Sequence, residues 1–225
     1  MTAANAGTEF QASLQRIFVC PEEIAHSIAR RARDRRYPVR STIVRQGDQT
    51  VATFLLVAGR AQALTCGHDG QLMLLHEYQR GDVFGVAATD EPTIENADVV
   101  ALEEVRAAVF LASDFIALLE THSCVAVLVS RALLRQLRAA SLRVAERSTL
   151  SANGRVHAEL LRLAHLGEGR IIRPAPVLAA LAVRIHCSRE TVSRAINALQ
   201  RRGIIRRDGD ALIIEAPHRL EELII

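Results

Sequence analysis

The sequence predicts an α+β chain in three parts, and three observations carry that reading. Between Pro38 and about Ala112, short apolar runs alternate with turns rich in Gly and Asp, the pattern of a β-barrel or sandwich. Ser113 to Ser151 reads as a long helical stretch with a heptad seam. Past Ala152 the order is helix, short turn, charged helix and hairpin, which makes a winged helix-turn-helix. The expected divisions are 1–112, 113–151 and 152–225.

Length and composition bound this picture. A chain of 225 residues suits one or two domains, and a 49% hydrophobic share with mean hydropathy +0.13 supplies real cores rather than disorder. All 28 basic residues are arginine. Residues 151–225 hold 12 arginines against 8 acids, whereas 1–150 hold 16 against 17, so the C-terminal part is the natural partner for phosphate. Cys20, Cys66, Cys124 and Cys187 are scattered with no Cys-x-x-Cys pair, as in a reducing compartment. Met1 to Phe10 lack the charged start and apolar core of a signal peptide, and the apolar run Val177 to Val183 is too short for a bilayer. The expectation is a cytoplasmic protein with no membrane partner.

In chain order, residues 8–36 read as helical, with Glu22 and Glu23 early and a cluster from Arg30 to Arg36 late, complementing a helix dipole. That basic cluster reads as a solvated helix end. Val39–Arg45, Thr53–Ala63, Leu72–Glu77, Ala97–Leu102 and Val105–Leu111 are candidate strands, with turns at Gly47-Asp48, Gly59, His68-Asp69-Gly70, Gly81-Asp82 and Gly85. The seam of the long helix is Val127, Leu134, Leu137, Ser141 and Val144, with Ser130 in register. Ser151-Ala-Asn-Gly154 reads as hinge and cap of a helix over Arg155–Leu166, closed by Gly167-Glu-Gly169.

The C-terminal third carries the chemistry. Ala175–Ile185 reads as a short helix opened by Pro176, and His186-Cys187 as the turn. Ser188 is a good cap for the next helix. At about 100° per residue, Val192, Ala195, Ile196 and Leu199 share one arc, while Arg189, Glu190, Ser193, Arg194, Asn197 and Arg201 lie opposite. An oily back and a front of fixed donors with one acceptor suit the DNA major groove, where Arg can take two bonds from guanine and Glu can accept from cytosine. Asp208-Gly209 between apolar runs predicts a hairpin whose type I′ turn needs positive φ at both central residues.

The run Leu181-Ala-Val-Arg-Ile-His-Cys-Ser-Arg-Glu-Thr-Val-Ser-Arg-Ala-Ile196, followed by Leu199, Gly203 and Ile204, resembles the signature of the CRP/FNR family of bacterial transcription regulators. His186 departs from it, since the family usually has Gly or Ala in the turn, but His tolerates left-handed geometry better than most residues. Upstream, Ile43-Val-Arg-Gln-Gly-Asp48, Phe54-Leu-Leu-Val-Ala-Gly59 and Gly81-Asp-Val-Phe-Gly85 resemble the family's cyclic-nucleotide-binding β-roll, so the likeness covers most of the chain. It implies a jelly-roll-like sensor domain, a long dimerisation helix, and a homodimer on a near-palindromic double-stranded DNA operator, working with RNA polymerase. By the same resemblance, Arg189, Glu190 and Arg194 read bases, Ser188 and Thr191 touch phosphate, and Ser193 lies on the same face.

The effector positions implied are Phe84, Gly85, Val86, Glu95, Asn96, Leu137 and Ser141. Here the sequence departs from its relatives. Where they place a Glu for the ribose, this chain has Val86, and where they place Arg-Ser for the cyclic phosphate it has Glu95-Asn96. Asp90, Glu91, Glu95 and Asp98 make the segment acidic, which repels a phosphate monoanion. Near the dimer helix, Ala140-Ser141 keeps one hydroxyl of the pair that contacts adenine in relatives. The expectation is that cAMP does not bind in the usual way and that the effector is unknown or absent. With only Cys20 near the N-terminus, no iron–sulfur cluster is expected, and haem is not supported by His68, His76 and Cys66.

Two rival functions remain from other classes. A cupin-like barrel enzyme would need a His-x-His pair with Glu and a later His, which His68, His76 and Glu77 do not supply, so no metal site and no enzyme is expected. No phosphate-binding or dinucleotide fingerprint occurs. A protein-interaction module using the winged helix is the other alternative, against which the arginine front argues.

Overall fold

The computed structural model describes residues 3–67, 70, 72–85, 93–167 and 169–224. The chain folds as two units, Met1–Cys66 with Leu75–Ala140, and Gly67–Leu74 with Ser141–Ile225.

The chain enters through α1 (Ala3–Phe18), α2 (Glu22–Arg31) and β1 (Arg33–Tyr37). It then runs through β2 (Thr42–Val44), β3 (Gln49–Thr50), β4 (Ala52–Ala58), β5 (Ala61–Cys66), β6 (Leu72–Tyr78), β7 (Val83–Gly85), β8 (Thr93–Ile94), β9 (Asp98–Ala101) and β10 (Val105–Leu111). Two four-stranded sheets, ordered β1-β10-β4-β7 and β2-β9-β5-β6, and the small β3-β8 pair form the roll. β4 explains the layering. Phe54 and Leu56 enter the core that also holds Val44, Ala61, Val99 and Ala107, whereas Leu55 and Val57 enter a core with Phe10, Leu14, Phe110 and Phe115. A strand covered on both faces reads as a continuous apolar run, as Phe54-Leu-Leu-Val57 does.

Three local expectations change between Arg33 and Thr149. Residues 8–36 are not helical throughout: Arg33–Tyr37 is a strand paired with β10, from Arg33↔Val109 to Tyr37↔Val105. Its run of charges gives no strand signal. Pairing decides it, helped by Asp34, which accepts two bonds from the mostly buried Arg106 at 2.9 and 2.8 Å. The expected strand Thr53–Ala63 is two strands, folded at Gly59. That residue has φ +86, and a Cβ there would stand 2.3 Å from the Glu104 carbonyl oxygen, so only glycine fits.

The helical stretch after Leu111 is also divided, into α3 (Ala112–Thr121) and α4 (Ser123–Thr149), bent by 111°. His122 is extended, with φ −126 and ψ 104. The Thr121 hydroxyl donates back to the Ala117 carbonyl, and the His122 carbonyl accepts from the amides of Val125 and Ala126, ending one helix and starting the next. Among the described residues, no single helix is long and apolar enough to cross a membrane.

The second unit holds α5 (Ala152–Leu166), β11 (Ile171–Ile172), α6 (Leu178–Ile185), α7 (Arg189–Arg201), β12 (Ile205–Asp208), β13 (Ala211–Ile214) and α8 (Pro217–Glu221). Its sheet order is β11-β13-β12. α6 begins two residues after Pro176, with Val177 at the cap. The hairpin register pairs Asp208 with Ala211, so the central turn residues are Gly209 and Asp210, and only Gly209 has positive φ. That is the type II′ pattern rather than the expected type I′, placed one residue later. Val156, Leu160, Leu181, Ile185, Val192, Leu199, Ile204, Ile214 and Leu220 form a single core.

Candidate functional site

α7 owes its start to Ser188, whose Oγ accepts from the Thr191 amide at 3.1 Å and lies 3.0 Å from Thr191 Oγ1. The turn before it is set by His186 in the left-handed region, φ 54 and ψ 58, which lets the Cys187 amide reach back to the Ala182 carbonyl at 3.0 Å. Val192, Ala195, Ile196 and Leu199 are buried as their arc requires, burial being worth about 1.5–3 kcal/mol for each large side chain.

The opposite side of α7 faces solvent. Ser188, Arg189, Glu190 and Arg194 are exposed, and Thr191 and Ser193 are half-buried beside them. The structure therefore brings all six expected residues to one surface. Arg194 Nη2 leans to Thr191 Oγ1 at 3.5 Å. Its own amide first, then the Ser188 hydroxyl, hold the Glu190 carboxyl below the usual carboxylate range, keeping it an acceptor. A groove of about 480 Å³ runs along this side, lined by Asn153, Thr191, Arg194, Asn197 and Arg201. Asn153 was not legible as part of it, because it arrives from α5. On the hairpin, the exposed Arg206 donates to Glu215 at 2.8 Å and Asp208 at 3.1 Å.

Behind the surface stands a carboxylate the sequence did not mark. Glu159 on α5 is 1% exposed and lies between Arg162 and Arg184, the latter at 3.5 Å. Arg162 also pairs with Glu146 on α4. Arg155 donates to the last carbonyl of α6, Ile185, at 3.1 Å and to Leu150 at 3.0 Å.

The sensor positions are less concentrated. Phe84 is buried, its ring stacked on Phe54 at 5.0 Å and on Tyr78 at 4.7 Å. Gly85, at φ +84, lets the chain pass the Ala52 carbonyl, which a Cβ would approach to 2.5 Å. Glu95 is half-buried and its backbone bridges Gly47 and Asp48. Burial pushes the Glu95 carboxyl up, and its Oε1 has no hydrogen-bond partner among the described residues. Burial, and then the charges of Glu95 and Asp82, push the Tyr78 hydroxyl up to about 12. Asn96, Leu137 and Ser141 are exposed. Val86, Asp90, Glu91 and His68 lie outside the described residues. Among the described residues no group of three or more His, Cys, Asp or Glu is placed to hold a metal.

A β-roll combined with a winged helix-turn-helix defines a class, the transcription regulators with a helix-turn-helix DNA-binding domain. Residues 34–122 match the cyclic nucleotide-binding domain family and 154–223 the Crp-like helix-turn-helix domain family. The cyclic AMP receptor protein of Thermus thermophilus is 31% identical over 91% of this chain and 94% of its own. The cAMP-activated global transcriptional regulator CRP of Pasteurella multocida is 26% identical over 80% and 88%. A CooA mutant from Carboxydothermus hydrogenoformans shares the fold with TM-score 0.75 at 16% identity, covering 94% of this chain and 95% of that one. The chain belongs to the CRP/FNR family.

His186 gives this unit a pH dependence. Burial first, and then Arg147, Arg143 and Arg155, hold its imidazole below the ordinary 6.5. The unfolded chain therefore binds the proton more readily, and stability falls as pH drops from 6.5 towards the lower folded value. Replacing a left-handed residue by glycine also removes about 1 kcal/mol of strain. His186→Gly should unfold at higher denaturant than the parent at pH 7.5, with the gap wider at pH 5.5, as measured by urea titration.

Proposed function

We propose that this chain is a sequence-specific DNA-binding transcription regulator that acts as a homodimer on a near-palindromic operator. The observation that carries the reading is the α7 surface: Arg189, Glu190 and Arg194 are exposed to solvent over a buried apolar back. Arg189 and Arg194 have the donors to take guanine, and Glu190 the acceptor for cytosine N4. Ser188, Thr191 and Ser193 supply hydroxyls for phosphate along the edge.

The dimer rests on α4. Val127, Ser130, Leu134, Leu137, Ser141 and Val144, the whole heptad seam, are exposed in the single chain, with Leu137 at 63% and Val144 at 66%. An apolar stripe of this length left in water marks an interface. A second copy supplies a matching stripe, and a two-fold pair of α7 helices then meets half-sites about 34 Å apart. RNA polymerase is the downstream partner, the protein works in the cytoplasm, and it is not an enzyme.

The Thermus and Pasteurella relatives are named for cyclic AMP. For this chain we infer that cAMP does not bind in the usual way. Val86 cannot accept a ribose hydroxyl bond, and Glu95-Asn96 offers a carboxyl where an anion-binding pair is needed. No iron–sulfur cluster or haem is inferred, and the effector is either of another chemistry or dispensable.

Selection of bound duplexes from random DNA tests the main reading. The parent should enrich an inverted repeat. Arg194→Ala should lose about 1–3 kcal/mol at one symmetric base pair and relax choice there. Enrichment without a repeat, or a uniform salt-dependent loss, would overturn base reading by α7. Calorimetric titration with cAMP should give no micromolar binding.

A further inference from the structure

Cys20 and Cys124 are distant in sequence and meet in the first unit. Both belong to the core formed by α1, α2, α3 and β4 (Cys20 buried within it, Cys124 half-buried against it). Cys20 is delivered by the corner between α1 and α2. There Val19 holds φ +50 with its side chain 87% exposed, and the Cys20 amide reaches back to Gln15. A β-branched residue in left-handed geometry is strained, and its own side chain has no packing to hold it there. Cys124 is delivered by the bend at His122, one residue into α4. Phe18 and Val19, which lead into Cys20, line the same cavity as Ser123 and Cys124, and burial first, then the charge and hydrogen bond of Cys124, raise the Cys20 thiol. A solvent-open cavity of about 400 Å³ lies at this spot, with Phe18, Val19, Ser123, Cys124, Val127 and Arg131 among its walls.

We propose that Cys124 and Cys20 are a reversible thiol pair that a small hydroperoxide closes to a disulfide. Cys124, which opens on the cavity, meets the oxidant. Its sulfur attacks one peroxide oxygen, the O–O bond breaks, and the departing oxygen leaves as water or alcohol with the thiol proton. Cys124 then carries a sulfenic acid. The Cys20 sulfur attacks that sulfur, an S–S bond forms, the S–O bond breaks, and the hydroxide takes the Cys20 proton to leave as water. The two thiols lose two electrons and the peroxide gains two; a dithiol reverses the reaction by exchange. Cys20 is suited to the second step because it is shielded from the oxidant yet adjacent to Cys124. The bond would staple the α1–α2 corner to the start of α4.

This goes beyond the DNA-binding reading and has its own readout. Full-length protein carrying Cys66→Ser and Cys187→Ser is treated with hydrogen peroxide, alkylated, and measured by intact mass and non-reducing peptide mapping. The expected result is loss of two hydrogens, a peptide linking Cys20 to Cys124 within one chain, and full recovery of the starting mass with dithiothreitol. Adding Cys20→Ala should stop the reaction at a sulfenic acid on Cys124 that a dimedone probe traps, with circular dichroism confirming that the variant is folded. Linkage between chains, or over-oxidation of Cys124 while Cys20 remains alkylatable, would overturn the pair. None of these masses depends on whether the protein binds DNA.

Discussion

The second unit depends on a carboxylate that water does not reach. Glu159 is 1% exposed, with Arg162 and Arg184 standing against it, so removing either arginine would leave a buried carboxylate with less compensation. Through those contacts α5 is tied to α6, and through Arg162 to the end of α4 at Glu146. α6 in turn carries the left-handed turn at His186 from which α7 departs. The ion cluster thus joins α4, α5 and α6, the last of which leads into the turn before α7.

In the first unit a similar role falls to Arg106. Its guanidinium is held by Asp34 and Glu9 and lies 5.4 Å over the Phe10 ring. That joins β1 and α1 to the central sheet, so the helices that cover β4 are anchored by charge as well as by apolar area. α1 is anchored by Arg106 and Phe10, and the chain passes from it into α2 within the three residues Val19-Cys20-Pro21, with Val19 at φ +50.

Much of the site was legible because its signals are local. The spacing of Val192, Ala195, Ile196 and Leu199, the cap at Ser188 and the tolerance of His186 for left-handed geometry all sit within one stretch, and each holds. The β-roll was legible as a class from its turns, less so in its boundaries. β1 escaped because a row of charged residues becomes a strand only when β10 pairs with it. The α3–α4 bend escaped because Thr121 and His122 differ little from helix residues until their hydrogen bonds are seen. Tyr78, Glu159 and Asn153 took their roles from chain segments far away in sequence, which periodicity cannot report. The meeting of Cys20 and Cys124 is of the same kind.

The surface of α7 has one more property. Its cations, Arg189, Arg194 and Arg201, are guanidinium groups, and the chain holds no lysine anywhere. Acetyl transfer to side-chain amines, which elsewhere erases positive charge, finds no acceptor here. Guanidinium also keeps its proton across the physiological range. The attraction of this face for a polyanion is therefore constant, and any control over it must act by moving or masking α7 rather than by discharging it.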